Sequence, residues 1–220
     1  MRRFFQLGAF SVLFLGSSYA SAAGPEWFIS GSLGASRYSD YRQSISNLVA
    51  DSVAIANPGI LIVASTTQDA TDVGFKGSIG AWFNDNIGAE VGYANLGEST
   101  ANTITTGVVT TWRLTQKNQV GFGSVLLGGK LDPSNRLYAK LGAYSASTDL
   151  SASVTGPGGS LSTGTDSTNT GVLYGVGWET AMSKQIAFRM EVERFNKVGD
   201  TNKTGEGSID LFSVGLTFKF

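Results

Sequence analysis

The sequence has no histidine and no cysteine among its 220 residues, and only four prolines. Without histidine, neither Ser-His-Asp nor Cys-His nucleophilic chemistry can be assembled, so any hydrolase would have to work with Asp and Glu alone. The absence of cysteine removes disulfides, and it fits a reducing cytosol and a disulfide-free envelope equally well. Charge is sparse and balanced, 16 Lys and Arg against 17 Asp and Glu, with no basic stripe to grip phosphates; a nucleic-acid partner is not expected. Beyond the N-terminus no apolar run is long enough to cross a membrane as a helix, and helix-type heptads are missing. Any insertion must therefore be by strands. The 29 glycines, with abundant Ser and Thr, suit strands and turns. No catalytic, cofactor-binding or metal-ligating residues are assigned.

What is present begins with a leader. Arg2 and Arg3 precede an apolar stretch, residues 4–15, and Ala20-Ser21-Ala22 forms an A-x-A cleavage site. This predicts a secretory signal peptide over residues 1–22, with residues 23–220 as one mature domain. A membrane helix is the alternative, but the apolar core is too short and no stop-transfer cluster follows.

At the other end, Phe212, Val214, Leu216, Phe218 and Phe220 alternate with Ser213, Gly215, Thr217 and Lys219. This is a strand with one apolar face, and nothing downstream covers that face. Lipid is the fitting neighbour. Seven further strands are read from the same period of two, at 27–38, 72–83, 87–96, 119–131, 136–147, 169–182 and 185–196. Apolar faces such as Ile29 and Leu33, or Leu137 and Leu141, oppose faces of Gly, Ser and charged residues. The strand at 119–131 gives no clean polar face in either parity, so its register stays open. Short turns at 84–86, 132–135 and 183–184 alternate with long connections at 39–71, 97–117, 148–168 and 197–207. The expected fold is all-β, an eight-stranded antiparallel up-and-down transmembrane barrel with turns on one side and loops on the other. Trp27, Phe83, Trp178, Phe218 and Phe220 would form an aromatic girdle at the turn side. A soluble carrier barrel with its charged face outward is the alternative, and it requires neither a terminal aromatic nor one-sided loops.

Several stretches resemble the OmpA-like outer-membrane barrel. WFISGSLGASRY at 27–38 resembles its first strand, NIGAEVGYANLG at 86–97 its third, residues 137–142 its fifth, and GWETAMSKQIAFRMEVERF at 177–195 its sixth and seventh. The ending Gly215, Leu216, Phe218 and Phe220 resembles the Gly-apolar-x-aromatic-x-aromatic signal read by the outer-membrane assembly machinery. The resemblance implies a monomer in the cell outer membrane, exported through the Sec pathway, with extracellular loops and periplasmic termini, surrounded by lipid and lipopolysaccharide. Because the sequence closes at Phe220, it is expected to belong with members that lack the periplasmic peptidoglycan-binding domain. The outer-membrane barrel enzymes, the lipid A deacylases, palmitoyl transferases and omptin-type proteases, resemble one another in using a catalytic histidine, and none can be placed here, so a non-enzyme is expected.

With apolar faces outward, the lumen receives Lys76, Lys140, Arg189 and Lys219 against Glu90, Glu179, Glu191 and Glu193. An eight-stranded barrel is only wide enough to be filled by side chains, so these charges must pair or hold water. One reading is a polar core that staples the barrel. The other is a gate: the resemblance implies that Glu90, Glu179 and Arg189 stand at a central ion-pair switch opening a narrow, porin-like diffusion path. Lys130 partly matches that switch's basic residue, with Lys140 or Lys76 as substitutes. Residues 44–56 and 60–65 are β-prone runs around Asn57-Pro58-Gly59. They predict a hairpin extending beyond the membrane, either an adhesive edge for host or partner surfaces or a cover for neighbouring loops.

Overall fold

A computed structural model describes residues 24–39, 42–200 and 205–220. The expected signal peptide, residues 1–22, lies outside the described residues, as does part of the last connection. In chain order the elements are β1 (Glu26–Tyr38), α1 (Arg42–Ala56), β2 (Val63–Asp69), β3 (Thr71–Trp82), β4 (Ile87–Thr106), β5 (Thr110–Lys130), β6 (Asn135–Gly156), β7 (Gly159–Ala181), β8 (Ile186–Asp200) and β9 (Gly205–Lys219). All pairings are antiparallel; the sheet runs β2-β4-β3-β1-β9-β8-β7-β6-β5, and β5 returns to β4 to close it. The two short pieces β2 and β3 lie end to end on one edge of β4, facing Thr106 to Thr100 and Asn95 to Gly88 respectively. They act as one stave interrupted at Ala70. The result is an all-β, eight-staved, up-and-down barrel, as the alternation predicts.

The outer surface is banded. On each stave the outward apolar positions end at a polar residue: Arg37, Thr71, Asn95, Gln119, Ser145, Thr170, Arg194 and Asp210. Below this ring the face is formed by side chains such as Leu33, Ile79, Val91, Leu141, Val176 and Leu216, all about half exposed. On β1 the band runs from Trp27 to Ala35, roughly 20–25 Å at ~3.3 Å per residue and a tilt of ~40°. Its lower margin is aromatic: Trp178 meets Phe188 edge-on at 6.4 Å, Phe218 stacks on Phe220 at 6.3 Å, and Trp27 and Phe83 are exposed.

The three short turns are held by their own side chains. Asn84 Oδ1 accepts from the backbone N–H of Asn86 and Ile87, both at 2.8 Å. Ser183 Oγ does the same for Gln185 and Ile186. Asp132 accepts from the Asn135 side-chain amide and from the backbone N–H of Ser134 and Asn135. The Asn135 amide, then these N–H groups, hold its carboxyl below the usual aspartate range.

Two expectations are corrected at the opposite end. Residues 42–56 form a helix and not one arm of a hairpin, because Ser46, Val49, Ala50 and Val53 recur at helical spacing and pack on β2 and β4. Val49 and Val53 are buried, and Asn57 Nδ2 caps the carbonyl of Val53 at 3.0 Å. The segments read as long connections at 97–117 and 148–168 are instead strand: β4 and β5 stay paired to Thr105↔Thr110, and β6 and β7 to Gly156↔Gly159. A bulge between Asn95 and Glu98 permits this on β4, with Gly97 at φ +73°, where only glycine is unstrained. Tyr38 Oη donates to the Gly97 carbonyl at 2.8 Å, and Asp72 Oδ2 accepts from the Glu98 N–H at 2.7 Å. Among the described residues α1, β2 and the ends of β4, β5, β6 and β7 thus stand above the polar ring as a crown, with the paired ends of β8 and β9 beside them. The open register of β5 is also resolved: Val120, Phe122, Ser124 and Leu126 face inward.

Candidate functional site

Period-two alternation sends every charge expected in the lumen to the inside, and the register brings them together. Lys76 on β3, Glu90 on β4, Lys140 on β6, Glu179 on β7, and Arg189, Glu191 and Glu193 on β8 have side chains no more than 2% exposed. Lys140 is the hub, with its Nζ 2.5 Å from Glu90, 2.8 Å from Glu191 and 2.7 Å from Glu193. Lys76 pairs with Glu191 and Glu193 from the other side. Arg189 donates to Glu90 at 3.0 Å and to Glu179 at 3.3 Å, and lies 3.9 Å from Glu191. Neutral groups complete the layer: Tyr138 Oη donates to Glu191 at 2.9 Å, and Ser78 Oγ to Glu90 at 3.3 Å.

Lys219 sits lower, less buried, bridging Glu179 at 2.7 Å and Glu26 at 3.2 Å, and Arg136 joins Glu26 at 3.4 Å. Glu26, Arg136 and Trp82 were not anticipated. Arg136 shares the inward parity of Tyr138 and Lys140, so continuing that strand's alternation by one step would have found it. Its guanidinium lies 4.1 Å from the centre of the Trp82 ring. Lys130 is not in the network; it lies at the turn end and pairs with exposed Asp85 at 2.6 Å. Lys140 takes the place facing Glu90.

Apolar layers close the ionic layer on both sides. Toward the crown lie Leu96, Val120, Phe122, Tyr144, Leu173 and Phe195. Toward the turns lie Phe28, Trp82, Leu126 and Tyr138. Arg189 stacks over Phe28 at 4.7 Å, at the boundary. In this dry setting each carboxylate is compensated by a cation. Glu90, Glu191 and Glu193 bring oxygens within 4.8 Å of one another, a grouping able to hold a metal ion, but the ammoniums of Lys76 and Lys140 already supply that positive charge. Gly215, Leu216, Phe218 and Phe220 of the expected assembly signal lie on or beside the last stave, with Leu216, Phe218 and Phe220 exposed on the outer face.

The profile of the family described as "Outer membrane protein beta-barrel domain" matches residues 8–220. Among solved structures, the outer membrane protein OprG from Pseudomonas aeruginosa aligns over 90% of this chain and 96% of its own, at 12% identity and a TM-score of 0.53. Ail, the attachment invasion locus protein of Yersinia pestis, aligns over 90% of this chain and 100% of its own, at 15% identity and a TM-score of 0.49. The Neisserial surface protein A aligns over 88% and 97%, at 18% identity and a TM-score of 0.43. No curated protein sequence matches the chain.

Proposed function

The chain belongs to the outer-membrane β-barrel domain family and resides in the outer membrane, and from that membership we propose that it is an anchored display scaffold whose crown contacts other surfaces and whose barrel supports envelope integrity. The carrying observation is the one-sided extension of the wall. Past the polar ring, β6 and β7 remain paired from Ser145↔Thr170 to Gly156↔Gly159, roughly 35 Å of strand at ~3.3 Å per residue, while at the opposite end the described residues connect the strands by tight turns. Ordered backbone placed so far beyond the lipid is surface built for contact. On this reading the protein acts as a monomeric anchor with lipid and lipopolysaccharide around its band, Gly215, Leu216, Phe218 and Phe220 address the assembly machinery, and no catalytic role is involved. Deleting residues 44–65 is expected to cut binding to host cells by about tenfold or more while the barrel still folds. Undiminished binding would end the adhesive reading.

A second reading, a narrow gated channel, draws support from one feature: Arg189 has three carboxylates within reach and can exchange between them. Opening would require displacing the apolar layers as well. The display reading therefore expects a planar bilayer holding the folded barrel to stay silent, with or without Arg189→Ala. Discrete openings altered by that substitution would put the channel first.

A further inference from the structure

The crown carries an aliphatic apex where α1, β2, β4 and β5 end. Val63 pairs with Thr106 and Ser65 with Ile104, so Val63 and Ile104 are diagonal neighbours on the outer face. Residues 60–62 lie on the turn that joins β4 to β5: a Cβ at Gly107 would land on the Leu61 carbonyl, with the Ile60 and Ile62 side chains 3.2 Å away. Val109 belongs to the same turn, and Ile55 to the last turn of α1, which leads into residues 57–62. The apex is convex. Ile55, Ile60, Leu61, Val63, Ile104 and Val109 are all exposed on it, Ile55 and Leu61 at 83%. By Thr106, β4 has run roughly 35 Å of strand past Asn95 at ~3.3 Å per residue, well clear of the lipid band around its own barrel.

Charges are ordered by their distance from this apex. Residues 52–68 and 99–112, which build it, include no Asp, Glu, Lys or Arg. Along the strands the first charge met is a cation, Arg113, four residues from Val109 and exposed on the outer face, where its Nε donates to Asn102 at 3.1 Å. That is ~13 Å of strand, or ~10 Å of depth at a tilt of ~40°. The carboxylates of the strands come later: Asp69, Glu98, Asp149 and Asp166 lie six to eight residues from their strand ends, and Glu98 is paired with Lys117 at 3.2 Å. Only Asp51, on α1 one turn before Ile55, stands closer.

Resting on the display reading, we infer that this apex inserts shallowly into an apposed lipid bilayer. An exposed apolar patch of this kind marks a contact surface, and three features select lipid as the occupant. The apex protrudes and offers no groove, so a fluid partner fits it better than one of fixed shape. Its polar groups are turned on one another: Thr105 Oγ1 donates to the Val108 carbonyl at 2.7 Å and accepts from the Thr110 N–H at 3.0 Å, and Trp112 Nε1 donates to Thr110 Oγ1 at 2.9 Å. The strands themselves stay paired to Val63↔Thr106 and Thr105↔Thr110, as backbone entering lipid must be. Finally, an apolar face that lies in a membrane interface sinks ~5–10 Å, which brings Arg113 to the level of the phosphates. Asp51 then stays near the surface and limits the depth on the α1 side.

The test uses the whole mature chain in nanodiscs, which leave the crown free, mixed with phosphatidylcholine vesicles and floated on a density gradient, with empty nanodiscs as the control. Co-flotation is expected with the barrel and not without it. Leu61→Asp combined with Val109→Asp, both at exposed side chains, is expected to cut co-flotation by about tenfold or more while urea unfolding of the barrel is unchanged. A second readout separates insertion from mere contact. Because the chain has no cysteine, Leu61→Cys accepts a single polarity-sensitive fluorophore, whose emission is expected to shift to the blue and to be quenched by spin-labelled lipid in the vesicles. The same label at Thr168→Cys, close to the polar ring, is expected to show neither effect. The proposal is overturned if the barrel does not float, if the double variant floats as well as the parent, or if lipid leaves the Leu61→Cys label unquenched. Should it fall while deletion of residues 44–65 still cuts host-cell binding, the display reading stands and only lipid as the partner is lost.

Discussion

Lys140→Met is expected to destabilise the folded barrel by about 3–5 kcal/mol, the usual cost of removing one partner from a buried charge network. The methionine fills most of the lysine stem's volume, so the loss reports charge and not a cavity. Lys140 Nζ touches Glu90, Glu191 and Glu193 at 2.5, 2.8 and 2.7 Å. Without it, three carboxylates share Lys76 and Arg189 between apolar layers that keep water out. Protonation of one carboxylate is the escape, and Glu193→Gln supplies the same relief by substitution. The double variant is therefore expected to recover more than half of the lost stability, a coupling of about 2 kcal/mol. Urea unfolding of the barrel in lipid vesicles measures both. A single-variant loss below about 1 kcal/mol would show that the ionic layer is solvated and that its pairs are interchangeable.

That network shows how far the sequence carries. Which charges point inward was legible, because one residue's parity fixes a whole stave, and Lys76, Glu90, Lys140, Glu179, Arg189, Glu191 and Glu193 all lie inside. Which cation meets which carboxylate was not, because most partners are set by the stagger between staves distant in the chain, 53 residues apart for Lys140 and Glu193. The partial match of Lys130 to the switch's basic position stays open in the sequence for the same reason, and the structure gives that place to Lys140. The weak pattern of β5 also has a physical cause: a lumen with apolar layers on both sides of its charges wants Val120, Phe122 and Leu126 inside and Val125 and Leu127 outside, which erases the contrast that alternation depends on. The crown was read least well. The segments at 97–117 and 148–168 have loop-like composition, and only long-range pairing makes them strand. In α1 the apolar residues lie on both faces, Val49 and Val53 buried but Leu48 and Ile55 exposed, so neither a helical stripe nor a clean alternation stands out.

The layers also constrain each other through glycine. Gly177 and Gly171 lie on the inward side of β7, and a Cβ at either would land on a tyrosine, Tyr138 or Tyr144 respectively. Each ring lies flat across the position where its neighbour has no side chain. From there Tyr138 Oη reaches Glu191 at 2.9 Å, while its ring meets Trp82 edge-on at 5.7 Å and faces Arg189 at 5.4 Å. One aromatic thus joins the ionic layer to the apolar layer beneath it. Gly177→Val would drive the ring off this seat, adding overpacking strain to the loss of a donor on a buried carboxylate. Together these are expected to cost about 3 kcal/mol or more. If displacement of the ring is the cause, the same substitution made in a Tyr138→Ala barrel should cost under about 1 kcal/mol, because the valine then occupies space the ring has left. Equal costs in the two backgrounds would place the penalty in the β7 backbone and remove Tyr138 as the link between the layers.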